Sequence, residues 1–202
     1  AFPLIFYRDI AKSIGQDNKN MDWNPDYIVQ EAIYKVQNMQ QYSGAMVYWP
    51  NGGQTNWWAT AYATHFLIEA KNAGFEVNPQ VIKNSVSYLE SEAKNKKLQD
   101  YYYIDQNGKY YQMSYVRQEV GYSLFVCALA GSKNISLLNY YKTQFQFLTE
   151  EGKYMLAAAY ALSGNKATFR ELLPSKYSTP NVRRESWGSF NSPIRNSAIV
   201  LY

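Results

Sequence analysis

Histidine and cysteine each occur once in these 202 residues, at His65 and Cys127. A lone cysteine rules out an internal disulfide and any cysteine-rich zinc site, and a lone histidine rules out a histidine-based metal cluster. Cys127 lies inside the apolar run from Ser123 to Ala130 and reads as a buried, inert thiol. A hydrolytic triad has to use His65, whose immediate neighbours Thr64 and Phe66 offer neither acid nor thiol, so His65 reads as a structural or surface residue. Pro50-Asn51-Gly52-Gly53 lacks the glycine spacing and the Lys-Ser/Thr pair of a phosphate-binding loop. No spacing implies a metal or an organic cofactor. Long apolar runs are missing as well: no segment approaches the roughly 18 uninterrupted residues of a membrane span. The net charge of +4 is spread along the chain. Its densest basic cluster, Lys94, Lys96 and Lys97, is too thin to neutralise a phosphate backbone, which excludes nucleic acid as a partner.

What is present is apolar and aromatic. A hydrophobic fraction of 47% and an aromatic fraction of 17% belong to a chain that collapses into a core. The length suits one domain, taken as residues 1–202. The chain starts at Ala1-Phe2-Pro3-Leu4 without an initiator methionine or signal peptide and stops inside an apolar run at Tyr202. It therefore reads as a piece of a larger protein, cut at both ends.

Helix signals dominate. Pro3 opens a first helix through Leu4, Ile5, Ile10 and Ile14, with Gly15 as its stop and a polar loop from Gln16 to Trp23. Asn24-Pro25 is an N-cap followed by a proline in the first turn, starting a helix that runs to about Gln41. Thr55 or Asn56 caps a third helix with Trp58, Tyr62, Phe66 and Ala70 on one face and Gly74 at its end. Asn78-Pro79 repeats the cap-plus-proline signal, and Val81, Ile82, Val86, Tyr88 and Leu89 form the stripe of a fourth helix. The period then changes. Tyr101 to Ile104 and Tyr110 to Met113 flank Asp105-Gln106-Asn107-Gly108, an Asn-Gly turn that predicts a small β-hairpin. Helices resume at about 117–130, 134–147, 150–163 and 166–173. Pro174 to Ser192 reads as irregular, and Ser192-Pro193 as the cap of a last helix.

Three helix ends resemble one another: Phe66 to Gly74, Phe125 to Gly131 and Ala157 to Gly164 are each apolar, alanine-containing and closed by glycine. Small residues let helices approach closely, and the glycine supplies a left-handed residue at the stop. Helices rich in alanine on nearly all sides belong in an inner layer, and helices with one polar face, such as 79–97, belong outside. The alternation predicts an all-α fold of stacked α-hairpins, an α/α toroid or solenoid, with the small β-hairpin inserted.

Two groups of residues could carry a function. Asp100, Asp105, Glu119 and Glu185 lie beside aromatic-rich loops and are the carboxylates that a glycan-processing enzyme could use, their separation deciding the mechanism. The densest aromatic cluster runs from Tyr48 to Trp58. Its Tyr48, Trp49, Trp57 and Trp58 either form a contact surface or pin a loop onto the core while their polar edges find partners.

The same segment is the most recognisable part of the chain. Met46-Val-Tyr-Trp-Pro-Asn-Gly-Gly53, followed by Asn56-Trp-Trp-Ala-Thr-Ala-Tyr-Ala-Thr-His-Phe-Leu-Ile-Glu-Ala-Lys-Asn-Ala-Gly74, resembles the thioester (complement-like) domain of bacterial alpha-2-macroglobulin-like proteins. Ala1-Phe-Pro-Leu-Ile5, Tyr154-Met-Leu-Ala-Ala-Ala-Tyr-Ala-Leu-Ser-Gly164 and Phe190-Asn-Ser-Pro-Ile-Arg-Asn-Ser-Ala-Ile-Val-Leu-Tyr202 resemble further parts of that domain in the same order. The resemblance implies an α/α toroid within a protease trap, in which a buried Cys-Gln thioester is released to acylate a protease once a bait region is cut. A thioester carbonyl reacts with an exposed amine yet survives where apolar walls exclude water.

The chain departs from that pattern in one respect: the Cys-x-Glu-Gln motif is absent, and Cys127, followed by Ala-Leu-Ala, is not that cysteine. In relatives the motif falls just upstream of the position matched by Ala1-Phe-Pro; alternatively, the full protein traps by shape alone. Complement proteins also place a histidine before the helix at 117–130, and Gln112 to Val116 contains none, so any acylation is expected to proceed without imidazole assistance. The expectations are a non-enzymatic fragment of a periplasmic or extracellular endopeptidase inhibitor, a membrane-anchored lipoprotein in one version. Its partners are target proteases, through the full-length protein, and other domains of the same polypeptide. A glycan-processing enzyme and a non-covalent binding module are the alternatives.

Overall fold

Asparagines start most of the helices. The computed structural model describes residues 2–14, 24–50, 52–95, 98–173 and 197–198. After a 3-10 turn at Phe2–Phe6 comes α1 (Tyr7–Ser13). In α2 (Pro25–Gln37) the Asn24 side-chain oxygen Oδ1 accepts from the Asp26 and Tyr27 amides at 3.0 and 3.3 Å. Asn56 accepts from the Ala59 amide at 2.8 Å to begin α3 (Trp57–Asn72), and Asn78 accepts from the Gln80 amide at 2.9 Å to begin α4 (Pro79–Asn95). Strands β1 (Gln99–Ile104) and β2 (Tyr110–Tyr115) follow, then α5 (Gln118–Leu129) and α6 (Ile135–Thr143). Then come α7 (Glu150–Leu162), capped by Thr149, and α8 (Lys166–Leu172), capped by Asn165. Each cap satisfies an amide that the first helical turn leaves without an internal partner, worth about 1 kcal/mol.

The repeated glycine stop is a repeated hydrogen-bond motif. Gly74, Gly131 and Gly164 have φ of 91°, 88° and 87°. The amide after each glycine reaches back to the helix: Phe75 to Ala70 at 3.0 Å, Ser132 to Cys127 at 2.9 Å and Asn165 to Tyr160 at 2.9 Å. That six-to-one bond with a left-handed residue is the Schellman termination, which only glycine adopts without a steric cost.

Two compact units divide the chain, Ala1–Leu89 and Glu90–Tyr202, the boundary falling inside α4. In the first unit, Ile5 of the 3-10 turn, Val29 and Ile33 of α2, Met46, Phe66, Leu67 and Ala70 of α3, and Val77 and Val81 form the core. The second unit centres on α5, where every residue from Val120 to Ala128 is buried. It packs on α7, which buries Met155, Leu156, Ala157, Ala159 and Tyr160, and α7 packs on α8. The α5–α7 crossing is tight, because a Cβ added at Gly121 stands 2.6 Å from the Cα of Gly152. Along α4 the buried positions Val81, Ser85, Leu89 and Ala93 recur every fourth residue, so it has one buried stripe, whereas α5 is buried all round. In the hairpin, Gln99 pairs with Tyr115 and Ile104 with Tyr110 around the Asp105–Gly108 turn, where Gly108 has φ 77°.

The molecule is mostly helical with one two-stranded antiparallel sheet among the described residues, in agreement with an all-α chain carrying a hairpin. Two local expectations change. Helix α2 stops at Gln37 rather than near Gln41, because Gln40 enters a bridge with Met46 and its backbone turns away. The helix expected over 134–147 ends at Thr143 and resumes as a 3-10 turn at Phe145–Phe147, whose last carbonyl accepts from the Val116 amide at 2.9 Å. Trp58, Tyr62, Phe66 and Ala70 do share one face of α3, exposed at Tyr62 (41%) and buried at Phe66 and Ala70, and Trp57, Thr60, Ala61, Thr64, Leu67 and Ile68 are buried beside it. The expected loop at 16–23, the Gly15 stop, the irregular stretch 174–192 and the Ser192-Pro193 cap lie outside the described residues.

Gly121→Ala is expected to lower stability by about 1–3 kcal/mol, since the new methyl meets helix backbone that has no side chain to swing away. Gly53→Ala, where no atom lies within 4 Å of the added Cβ, should shift it by no more than about 0.5 kcal/mol. Equal denaturation midpoints for the two variants in urea would contradict the close crossing.

Candidate functional site

The segment from Gln40 to Tyr62 is built around one buried hydroxyl. Thr60, in the first turn of α3, accepts from the Met46 amide at 2.8 Å and donates to the Asn56 carbonyl at 2.7 Å. The Asn56 amide donates to the Met46 carbonyl at 3.0 Å, which closes a ring of three bonds between loop and helix start. The Val47–Thr55 bridge continues this pairing, and the Gly52 amide turns back to the Trp49 carbonyl at 2.8 Å. On the other side, Gln40 Nε2 donates to the Val81 carbonyl and to Ser85 Oγ, both at 2.8 Å, and Ser85 donates to the Gly44 carbonyl at 3.0 Å. Ala45, Met46 and Val47 are buried as a result. The loop is therefore held at its base by hydrogen bonds and exposed at its tip.

The four aromatic residues expected to form one surface are divided by this arrangement. Tyr48 and Trp49, at the tip, are 50% and 76% exposed. Trp57 is 6% exposed and belongs to the interior, so it leaves the surface that the sequence assigned to it. Trp58 is half-buried and stacks on Tyr62 with ring centres 5.2 Å apart and planes 10° apart. The Tyr-Trp-Trp-Trp composition carried both possibilities, and the helix phase separated them: residues 57 and 58 are adjacent and so point about 100° apart. Tyr42, fully exposed in the turn before Gly44, is a further aromatic residue of this loop that the sequence reading did not single out.

Cys127 is buried and His65 is partly so. His65 lies edge-on to Phe2 with ring centres 5.0 Å apart, and burial holds its pKa at about 4. The imidazole is thus neutral at physiological pH. Burial, and to a lesser degree the Glu90 carboxylate, push the Cys127 thiol far above its ordinary value, which keeps it protonated and unreactive. The expected inert cysteine is the one found.

Each candidate carboxylate in the described residues is engaged locally. Asp100 accepts from the Ser114 hydroxyl at 2.7 Å across the hairpin. Asp105 accepts from the Lys109 and Asn107 amides at 3.0 and 2.9 Å and from the Tyr111 hydroxyl at 3.2 Å, and the Lys109 amide leads in lowering its pKa. Glu119 receives two bonds from the Arg117 guanidinium, at 2.7 and 3.2 Å. Glu185 lies outside the described residues. No group of three or more His, Cys, Asp or Glu among the described residues is placed to hold a metal, and no helix there is long and apolar enough to cross a membrane.

No family model matches the chain, and no curated protein matches it. Among solved structures, native Escherichia coli alpha-2-macroglobulin from domain MG7 to the C-terminus matches with a TM-score of 0.73 and 18% identity. That match covers 99% of this chain and 31% of the other. Salmonella alpha-2-macroglobulin reacted with methylamine matches with a TM-score of 0.67 and 20% identity, over 90% of this chain and 12% of the other. Trypsin-activated E. coli alpha-2-macroglobulin matches at 0.66 and 16%, over 85% and 12%. The fold is thus that of a segment of bacterial alpha-2-macroglobulins, and the chain spans between about an eighth and a third of the chains it matches.

Trp57→Ala should cost about 3–5 kcal/mol in chemical denaturation, as for a fully buried ring, while Trp49→Ala should stay within about 0.5 kcal/mol. Similar losses at both positions would contradict the separation of interior from tip. His65 generates a pH dependence. Its folded pKa, about 4, lies below the unfolded value near 6.5, so in between the unfolded chain binds the extra proton. The contribution is complete above pH 6.5 and is lost as pH falls towards 4, on the order of 2 kcal/mol. His65→Gln should flatten the stability profile between pH 6.5 and 4 relative to the parent; parallel profiles would contradict the burial of a neutral imidazole.

Proposed function

We propose that the chain is one α/α-toroid domain, part of the thioester domain of a bacterial alpha-2-macroglobulin-like protease trap, and that it works as a scaffold rather than an enzyme. The observation that carries this reading is the match of its fold to native alpha-2-macroglobulin over 99% of its residues, at a TM-score of 0.73. The ordered sequence resemblance, from Ala1-Phe-Pro to the Phe190–Tyr202 segment, points the same way. Engagement of Asp100, Asp105 and Glu119 by neighbouring groups favours scaffold over glycosidase, whose acid and nucleophile or base must face a substrate.

In this reading the chain's own contribution is enclosure. Its cysteine is buried and protonated, and the Cys-x-Glu-Gln sequence is absent from these residues, so acylation belongs to the full-length protein if that protein carries the motif. The apolar helices supply walls that exclude water from an electrophilic ester. The exposed Tyr48 and Trp49 tip serves as a contact with other domains of the same polypeptide. A protein that meets proteases in this way works in the periplasm or outside the cell, and a lipid anchor at the membrane is consistent with that role.

The full-length protein incubated with trypsin should leave the protease active on a small chromogenic peptide and inactive on a large protein substrate, because a caged enzyme admits only small molecules. Undiminished cleavage of the large substrate would refute the trap. Methylamine treatment followed by peptide mass spectrometry separates the covalent version, which gives an adduct at a Cys-Gln pair, from trapping by shape alone, which gives none.

A further inference from the structure

The hairpin carries an aromatic stack that the trap reading does not use. Register places Tyr103 directly opposite Tyr111, with Tyr101 two residues earlier on the same face. The Tyr103 and Tyr111 rings are 5.0 Å apart between centres and within 11° of parallel; Tyr101 stacks on Tyr103 at 6.0 Å and 24°. Tyr101 and Tyr103 are 56% and 37% exposed, so the stack is open to small diffusing reagents. The Tyr111 hydroxyl donates to Asp105 Oδ2 at 3.2 Å, and the Lys109 ammonium lies over the Tyr111 ring at 5.1 Å. These two neighbours act together on the same phenol. The ammonium disfavours positive charge on the ring, so an electron leaves only if the phenolic proton leaves with it, and the ionised Asp105 carboxylate is positioned to take that proton.

The geometry points to Tyr103 and Tyr111 as an oxidative cross-linking site, at which a one-electron oxidant of the peroxidase class joins the two rings as dityrosine. Each phenol gives up one electron to the oxidant and one proton, from Tyr111 to Asp105 and from Tyr103 to water, which leaves two neutral tyrosyl radicals. Their ortho carbons form a C–C bond, and the hydrogen on each of those carbons moves to its own oxygen, restoring two phenols. In total two electrons and two protons are removed, and no atom is added. The bond closes a covalent loop around the Asp105–Gly108 turn and fixes the strand register. Proximity selects the pair, because radicals held on facing strands meet without diffusion. Tyr140 and Tyr141, also 5.0 Å apart, have their rings at 85° and Tyr141 fully buried, which keeps the oxidant out.

The sequence supplies a direct assay. Trypsin cleaves after Lys97, Lys109 and Arg117, placing Tyr103 on peptide 98–109 and Tyr111 on peptide 110–117. The intact chain is exposed to a haem peroxidase with limiting hydrogen peroxide, the monomer is isolated, and its digest is read by mass spectrometry and dityrosine fluorescence. The expected product is the two peptides joined and lighter than their sum by two hydrogens, with fragment ions placing the bond at Tyr103 and Tyr111. Tyr103→Phe and Tyr111→Phe should each lose that species, and Asp105→Asn should slow its formation while keeping the turn. A bond within peptide 98–109, a bond at Tyr102 or Tyr110, products found only between two chains, or no cross-link at all would each overturn the assignment.

Discussion

The hydroxyl of Thr60 fixes the part of the molecule on which the functional reading turns. It is fully buried and stands between the Met46 amide and the Asn56 carbonyl, so it settles in one residue where the loop ends and where α3 begins. Each bond contributes only about 1 kcal/mol net, but a buried amide left without a partner costs about 1–3 kcal/mol. The segment therefore has one low-energy path: Met46 and Val47 go inside, and Tyr48 and Trp49 emerge together at the tip. Gln40 and Ser85 anchor the other end by the same logic, using side chains to meet backbone groups that no regular element satisfies.

In the second unit the corresponding constraint is steric. Gly121 and Gly152 let α5 and α7 cross with backbone nearly touching backbone, and this closeness is what allows α5 to be buried from Val120 to Ala128. A helix enclosed in this way keeps a polar side chain only where its own backbone satisfies it, as the Glu119 carbonyl does for the buried Ser123 hydroxyl at 2.8 Å. It also shields Cys127 from solvent, which disfavours a thiolate, so the inertness of the thiol follows from the packing of its helix. Segments of bacterial alpha-2-macroglobulins share this arrangement of elements at 16–20% identity, as expected where backbone spacing and helix ends, rather than particular side chains, specify the fold.

Much of this was legible in the residues because the signals were local. Asn24-Pro25, Asn56 and Asn78-Pro79 open helices through their own side chains, and Gly74, Gly131 and Gly164 close them through a φ that the backbone itself requires. The hairpin was written in Asp105-Gln106-Asn107-Gly108 and in the change of period around it. The reading failed where distance along the chain mattered. The early stop of α2 at Gln37 depends on Met46, and the break after Thr143 coincides with a bond from Val116 to Phe147. Of the candidate surface residues only Trp57 is enclosed, and for the same reason: Trp57 and Trp58 are indistinguishable in composition and only the packing of α3 says which indole goes inside.

By itself the sequence determined a mostly helical chain with one hairpin, the order of its elements, the asparagine caps and the glycine stops, and the absence of a second cysteine and of the Cys-x-Glu-Gln motif from these residues. Tertiary structure alone decided which aromatic residues face water, how closely α5 and α7 approach, and that His65 is held neutral by burial. The division has one physical origin. Capping, turn geometry and periodicity act over a few residues, whereas burial and cross-strand contact depend on neighbours many positions away in the chain.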